Sequence, residues 1–304
     1  MAQAEYDSLE WDLLRDTKQA FAVVALGQER LRLAEAAVRL AEEVERTTAA
    51  RVSAGRTTPL ESDRVGVETA LRRAEEDRAR RELASARQRL VALWGESDPA
   101  FDAVQEAPEG ERLSVPPIEV LLARLDASPD LRRAGAMVEL QRMRMRSEEA
   151  SRLSNLDLSA GLRRFEETGD TAFVAAAALE LPLWNRNSAG IRAAAADLEA
   201  AQLEESAARL QVESEIRQAH AQLETLAAFI AALEAAAVPA AERGLAAAQA
   251  GYREGKFTCL EVLDAQRAFH EVRLRSVAAR GDFHERLAGI ERLEGRPRGD
   301  RTEE

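Results

Sequence analysis

Glu261 and Asp264 stand three residues apart, the spacing that puts two carboxylates on one face of a helix. Such a pair gives either a local negative surface or an ordinary solvated face. Met137, Met143 and Met145 share a stretch with Arg142, Arg144 and Arg146. Thioethers can take a soft metal, but methionine more often fills a core or an interface, and packing is the expectation here. His270 and His284 fall on nearly the same helical face yet about 21 Å apart along the rise, so they cannot share a metal. Cys259 is the sole cysteine, which leaves no intrachain disulfide. No Ser–His–Asp set or paired catalytic carboxylates stand out, and Gly161 and Gly169 match no phosphate cradle. The expectation is no enzyme, no cofactor and no metal site.

Composition says what must position these residues. The chain has 304 residues, 46% hydrophobic and 32% charged, with 4% aromatics, 16 glycines and 9 prolines. Glycine and proline together make about 8%, where about 12% is usual. Alanine supplies 61 residues. Strong helix formers with few breakers predict long helices and exclude a turn-punctuated all-β protein. The apolar content excludes disorder. Net charge is −12, and 40 of the 42 basic residues are arginines interspersed with acids. A phosphate-binding surface needs a concentrated positive field, so no nucleic-acid partner is expected. No uninterrupted run of 18 apolar residues occurs, which predicts no membrane-spanning helix. Met1–Asp7 lacks the basic patch and apolar core of a secretory signal.

Periodicity fills in the elements. Val24, Leu31 and Val38 recur every seven residues, predicting one helix from about Tyr6 to Ala54. Gly55 ends it, and Thr57-Thr58-Pro59 starts a second helix that stops near Gly95. So short a connection makes an antiparallel coiled-coil hairpin. Five prolines and glycines between 99 and 117 mark a loop. Ile118–Leu125 and a stretch from Pro129 to about Leu153 are helical. Leu156, Leu158, Ala160 and Leu162 alternate with polar residues, and Thr171–Leu181 forms a second extended run, a β-hairpin around a turn at 166–170. Runs of this length suit either a decorating ribbon or strands crossing a membrane in a barrel. A helix from Ala189 to Tyr252, kinked at Pro239, and a last one from Leu260 to Leu293 complete the chain.

The second helical hairpin repeats the first at a spacing of 200. Gly55, Thr58, Leu60, Glu61, Arg73, Arg80, Leu93 and Gly95 match Gly255, Thr258, Leu260, Glu261, Arg273, Arg280, Leu293 and Gly295. Gln19-Ala20 resembles Gln218-Ala219, one residue out of step. The expected fold is mainly α: long antiparallel coiled-coil hairpins in two repeats with one β-hairpin. Its segments are a first helical hairpin (1–95), a linker (96–117), a helix plus β-hairpin (118–183), a second helical hairpin (184–295) and a disordered tail (296–304). The helix and β-hairpin before the second copy have no counterpart before the first, an asymmetry that suggests N-terminal truncation, with a secretory signal lost in the same way.

Three features together resemble the TolC-like outer membrane efflux proteins. Gly251-Tyr252-Arg253-Glu254-Gly255-Lys256-Phe257-Thr258-Cys259-Leu260-Glu261-Val262-Leu263-Asp264-Ala265-Gln266 is similar to the second tip of that family. Leu179-Glu180-Leu181-Pro182-Leu183-Trp184-Asn185-Arg186-Asn187-Ser188-Ala189-Gly190-Ile191 resembles the end of the last membrane strand in its heavy-metal (cobalt–zinc–cadmium type) branch. The duplication is the third. The resemblance implies homotrimers whose four strands per protomer build a shared barrel in the outer membrane, with a helical periplasmic tunnel. It implies a passive conduit served by a periplasmic adaptor and a proton-driven, RND-type inner-membrane pump. It places the tips Gly55-Arg56-Thr57-Thr58 and Gly255-Lys256-Phe257-Thr258 against the adaptor, although these glycines equally suit a plain helix stop. It places Glu261 and Asp264 in an acidic ring at the tunnel entrance, where negative charge favours cations. With one β-hairpin instead of two, three copies supply only six strands, an incomplete barrel contribution. The alternative is a soluble coiled-coil scaffold, which would have no one-sided apolar face on residues 156–183.

Overall fold

The computed structural model describes residues 2–105, 113–152, 156–167, 169, 171–179 and 187–295. The chain forms α1 (Ala2–Ser53), α2 (Pro59–Ala92), α3 (Ile118–Ala123), α4 (Pro129–Ala150), strands β1 (Leu156–Arg164) and β2 (Thr171–Leu179), α5 (Ser188–Ala232), α6 (Val238–Arg253) and α7 (Cys259–Glu294). A 3-10 turn (Leu125–Ala127) precedes α4, and a π turn (Leu233–Ala237) joins α5 to α6. Expected features at 106–112, 180–186 and 296–304 lie outside the described residues.

Two compact units result. One holds Met1–Ser8 and Pro129–Val212, the other Leu9–Ser128 and Glu213–Glu304. In the first, β1 and β2 pair antiparallel from Leu156↔Leu179 to Arg164↔Thr171. The Asn187 side-chain amide donates to the Glu148 carbonyl at 3.1 Å and to its carboxylate at 2.5 Å, tying the approach to α5 onto α4.

In the second unit, α1 and α2 fold back as one antiparallel pair and α6 and α7 as another. A cluster near the two turns joins the pairs: Val44 and Val65 pack with Ala248, Tyr252, Cys259, Val262 and Leu263. Farther from the turn, Val24 packs with Leu83, Ala86 and Leu90, and Phe101 and Val104 cover them. Gln28 holds that cover by a reciprocal pair of bonds, accepting from Val104 N–H at 2.7 Å and donating to its carbonyl at 3.1 Å. The His220 ring nitrogen lies 2.9 Å from the Pro116 carbonyl and fixes the approach to α3 against α5.

The buried seam explains the slipped residue of the repeat. In α1 the buried positions Ala34, Ala41 and Thr48 keep strict sevens, as do Val24 and Val38. In the second copy Ile216, Leu223 and Ile230 keep sevens, but the next buried positions are Leu245 and Tyr252, so fifteen residues replace fourteen. Leu233 to Ala248 is also fifteen. The π turn lies inside that interval and takes up the extra residue, so the seam keeps facing the partner. Pro239 follows at once. Its ring would press on the Ala235 carbonyl in a continuous α-helix, and the widened turn relieves that contact. The expected kink is thus a π turn. The stretch Ser188–Arg253 is long and apolar enough by composition to cross a membrane, contrary to the sequence expectation. Its apolarity is mainly alanine, spread around a helix whose Ile230, Leu233 and Leu245 are already buried in the seam.

Candidate functional site

Each helical pair turns back on the same backbone device. Gly55 adopts φ +67° and Gly255 φ +76°, the left-handed region closed to most side chains. Gly55 N–H donates to the Val52 carbonyl at 2.9 Å and Arg56 N–H to the Arg51 carbonyl at 2.8 Å. Gly255 and Lys256 make the equivalent bonds to Tyr252 at 3.0 Å and Gly251 at 2.8 Å. Both are Schellman turns, which satisfy the last carbonyls of the incoming helix.

The turns differ in how the next helix starts. At Thr258 the capping box is complete. Thr258 Oγ1 accepts from Glu261 N–H at 3.4 Å, and Glu261 accepts from Thr258 N–H at 2.6 Å and from its hydroxyl at 2.9 Å. At Thr58 no side-chain cap forms, and Thr57 instead donates to Glu61 at 2.5 Å. Phe257 folds back on Gly251, where a Cβ would meet the ring at 2.3 Å. Arg56 is exposed, and so is Lys256, which pairs with Glu254 at 2.6 Å. Glu261 is exposed, and the Thr258 backbone N–H followed by its hydroxyl holds the carboxyl below its ordinary range. Asp264 is exposed and 3.5 Å from Arg267. Both acids therefore stand exposed close to the turn.

Behind the turns, a polar seam links the pairs. Glu68 on α2 is buried, its side chain 4% exposed. It accepts from Arg72 Nε at 3.0 Å and from Arg267 of α7 at 2.8 Å. Burial alone would raise its carboxyl, but the hydrogen bonds from Arg267 and Arg72 outweigh this and hold it below the usual range. His270 lies 3.9 Å from Glu75. Burial first, then the Arg72 charge, push the imidazole down, and Glu75 opposes them. On the other side, the Thr48 hydroxyl donates to the Val44 carbonyl at 2.8 Å and so accepts from the Tyr252 hydroxyl at 2.8 Å. Arg51 caps the Tyr252 ring at 4.5 Å and donates to its carbonyl at 3.1 Å. Arg253 pairs with Glu43 at 2.8 Å. Burial pushes the Cys259 thiol up, Glu61 adds to the shift, and the thiol is thereby kept unreactive.

These inter-pair contacts escaped the sequence reading because the partners stand about 200 residues apart. Glu68 did leave a signal: it follows the apolar seam position Val65 by three and precedes Arg72 by four. Among the described residues, no group of three or more His, Cys, Asp and Glu could hold a metal. Met143 is exposed, while Met137 and Met145 are half-buried.

In the other unit, the β-hairpin has two unlike faces. The register puts Leu158 with Ala177, Ala160 with Ala175 and Leu162 with Phe173 on one side. Asp157, Ser159, Gly161 and Arg163 lie on the other, opposite Ala178, Ala176, Val174 and Ala172. Leu158, Leu162 and Phe173 are 74%, 76% and 70% exposed. An exposed band of bulky apolar side chains therefore lies on one side of the ribbon, while the other side, also exposed, carries Asp157, Arg163 and Val174 among small residues.

Known proteins resemble this chain in sequence and fold. Residues 121–296 match the family described as outer membrane efflux protein. The chain is 30% identical over 296 residues to the cobalt-zinc-cadmium resistance protein CzcC of Cupriavidus metallidurans, spanning 97% of this chain and 71% of that one. Among solved structures, the outer-membrane channel OprN superposes with TM-score 0.83 at 20% identity, over 97% of this chain and 68% of that one. CusC gives 0.83 at 18% identity, over 97% and 71%. The outer membrane protein VceC of Vibrio cholerae gives 0.81 at 19% identity, over 97% and 72%. At such identities the superpositions speak to the fold alone, which is the TolC-like arrangement.

Proposed function

This chain belongs to the outer membrane efflux protein family, and on that premise we propose that three copies assemble into one export conduit for heavy-metal cations. It is an outer-membrane efflux channel with a periplasmic helical part, and it is not an enzyme. The observation that carries the membrane reading is the one-sided apolar face of β1 and β2, centred on Leu158, Leu162 and Phe173. A soluble coiled-coil scaffold would bury such a band or lack it.

The heavy-metal assignment rests on likeness to a relative whose name specifies cobalt, zinc and cadmium resistance. In this reading a periplasmic adaptor docks at Gly55-Arg56-Thr57-Thr58 and Gly255-Lys256-Phe257-Thr258, and a proton-driven, RND-type inner-membrane pump delivers the solute. The two Schellman turns support this, since they present Arg56 and Lys256 outward at matching places. Glu261 and Asp264, repeated in three copies, ring the entrance with negative charge.

Metal tolerance tests the reading. A strain lacking its own heavy-metal outer-membrane channel but keeping the cognate adaptor and pump should regain growth on zinc, cobalt or cadmium when this protein is expressed with its genomic upstream sequence. Unchanged sensitivity, with the protein present in the outer membrane, would remove the assignment. The ring is tested in planar bilayers. Glu261→Gln with Asp264→Asn keeps a capping-capable side chain at 261 and deletes both charges. Cation selectivity should fall, and unchanged selectivity would remove these residues from the entrance.

A further inference from the structure

The β-hairpin carries two adjacent arginines at the end of β1, and the register sends them to opposite sides. Arg163 pairs with Ala172 on the side of Asp157, Ser159 and Gly161. Arg164 pairs with Thr171 on the side of Leu158, Leu162 and Phe173. A full positive charge thus ends the apolar band, with a hydroxyl directly across from it. Arg164 and Thr171 are both exposed. Among the described residues the Arg164 guanidinium has no ion-pair partner.

Connectivity gives this end its place. The chain enters β1 at Leu156 from α4 and leaves β2 at Leu179 toward α5, so the turn lies at the end away from those helices. With the helices in the periplasm, that end points to the cell exterior. From Leu156 to Arg164 there are eight steps of about 3.3 Å, or about 26 Å of strand. At a tilt of about 40° this rises about 20 Å, against an apolar band about 25 Å tall. Ala160 then lies mid-band, where arginine is rejected, and Arg164 at the rim, where it is tolerated. The long stem of Arg164 lies over the apolar side while its head reaches the surface.

We propose that Arg164 and Thr171 form a seat for one phosphate of a phosphorylated acyl lipid in the outer leaflet, with the lipid chains against Leu158, Leu162 and Phe173. The proposal rests on the membrane reading of the ribbon and adds the class of lipid that it holds. A guanidinium fork matches two phosphate oxygens at once, and Thr171 supplies a hydroxyl donor beside it. Glu166 and Glu167 are exposed in the turn past the strand end, and their charge repels phosphate from the turn itself. Arg163 carries the same charge, but its side holds Asp157 and small residues around Val174, no bed for acyl chains.

Native mass spectrometry tests this on the whole chain, expressed with its genomic upstream sequence and extracted from outer membranes in mild detergent. Bisphosphorylated lipid A is the probe, titrated beside lipid A stripped of both phosphates. The wild type should hold the stripped form at least about tenfold more weakly. Equal retention of the two forms means that the apolar side alone binds, and overturns the proposal. Excess inorganic phosphate should not displace the lipid, because the chains add apolar burial. Displacement makes the seat a free-anion site and overturns the proposal too. Arg164→Gln should weaken retention at least about tenfold, Arg164→Lys should keep part of it, and Arg163→Gln should leave it unchanged. Unchanged retention in Arg164→Gln, or an equal loss in Arg163→Gln, overturns the assignment. If Arg164→Gln fails to reach the outer membrane, the two lipid forms on the wild type still decide. A wild type absent from the outer-membrane fraction overturns the membrane reading, and the proposal with it.

Discussion

At the scale of single residues, positive φ and buried charge set the costs. Gly255 at φ +76° and Gly55 at φ +67° have open space within 4 Å of where a Cβ would stand, so the cost of a side chain there is conformational and not steric. Gly255→Ala should cost about 1–2 kcal/mol, read as a lowered thermal midpoint, and Gly55→Ala about the same. Gly251→Ala differs, because its Cβ would collide with the Phe257 ring and push that side chain off the turn. Glu68→Ala leaves Arg72 and Arg267 without their shared acceptor. Arg267 is half exposed and finds water, so the loss should sit near or below the low end of the buried-pair range, about 1–3 kcal/mol by denaturant titration. His270 gives a pH signature. Its folded value lies below the ordinary 6.5, so the unfolded chain takes up the proton first. Stability is full above about pH 6.5 and declines as pH falls through the depressed folded value. His270→Gln should flatten that slope. Glu68 contributes a separate decline below its ordinary 4.5, present in the His270 variant and absent in the Glu68 one.

At the scale of elements, the π turn is the informative departure. Deleting Ala236 alone returns Leu233–Ala237 to four-residue spacing but leaves Pro239 pressing on a carbonyl, at about 3 kcal/mol. Deleting Ala236 together with Pro239→Arg, the residue that Arg39 supplies in the first copy, should restore near-wild-type stability and helicity by circular dichroism. Equal melting of both variants would show that Pro239 presses on no carbonyl once the turn is closed. Long helices and both turns were legible in the sequence, because Gly55-Arg-Thr-Thr-Pro and Gly255-Lys-Phe-Thr are local signals. The β-hairpin was legible through its period-two alternation. The π turn showed only as the Gln19-Ala20 to Gln218-Ala219 slip, since a widened turn has no composition of its own. Of the Glu68–Arg267 seam only the place of Glu68 beside Val65 and Arg72 was legible, because pairing across about 200 residues depends on how the copies face each other. At Thr58, in the start signal Thr57-Thr58-Pro59, the hydroxyl does not cap, and its neighbour Thr57 holds Glu61 instead.

At the scale of the whole molecule, function depends on a ribbon that is not self-sufficient. Among the described residues the sheet has two strands, so the outer edges of β1 and β2 need further strands before lipid can surround them. Arginine on the apolar side should be rejected. Ala160→Arg, in mid-strand, should cost about 2–4 kcal/mol of membrane stability and reduce recovery in the outer-membrane fraction. Ser159→Arg, one residue along on the other side, should be tolerated. Equal recovery of both would mean that the two faces meet the same surroundings.

The fifteen-residue step from Ile230 to Leu245 also governs how the halves of this protein may be compared. Overlaid without a gap, every position preceding Leu233 would be assigned an azimuth about 100° wrong, and its supposed counterpart in α1 would point sideways. Transplanting a substitution from one rod to the other thus requires an offset of 200 on one side of the widened turn and 199 on the other.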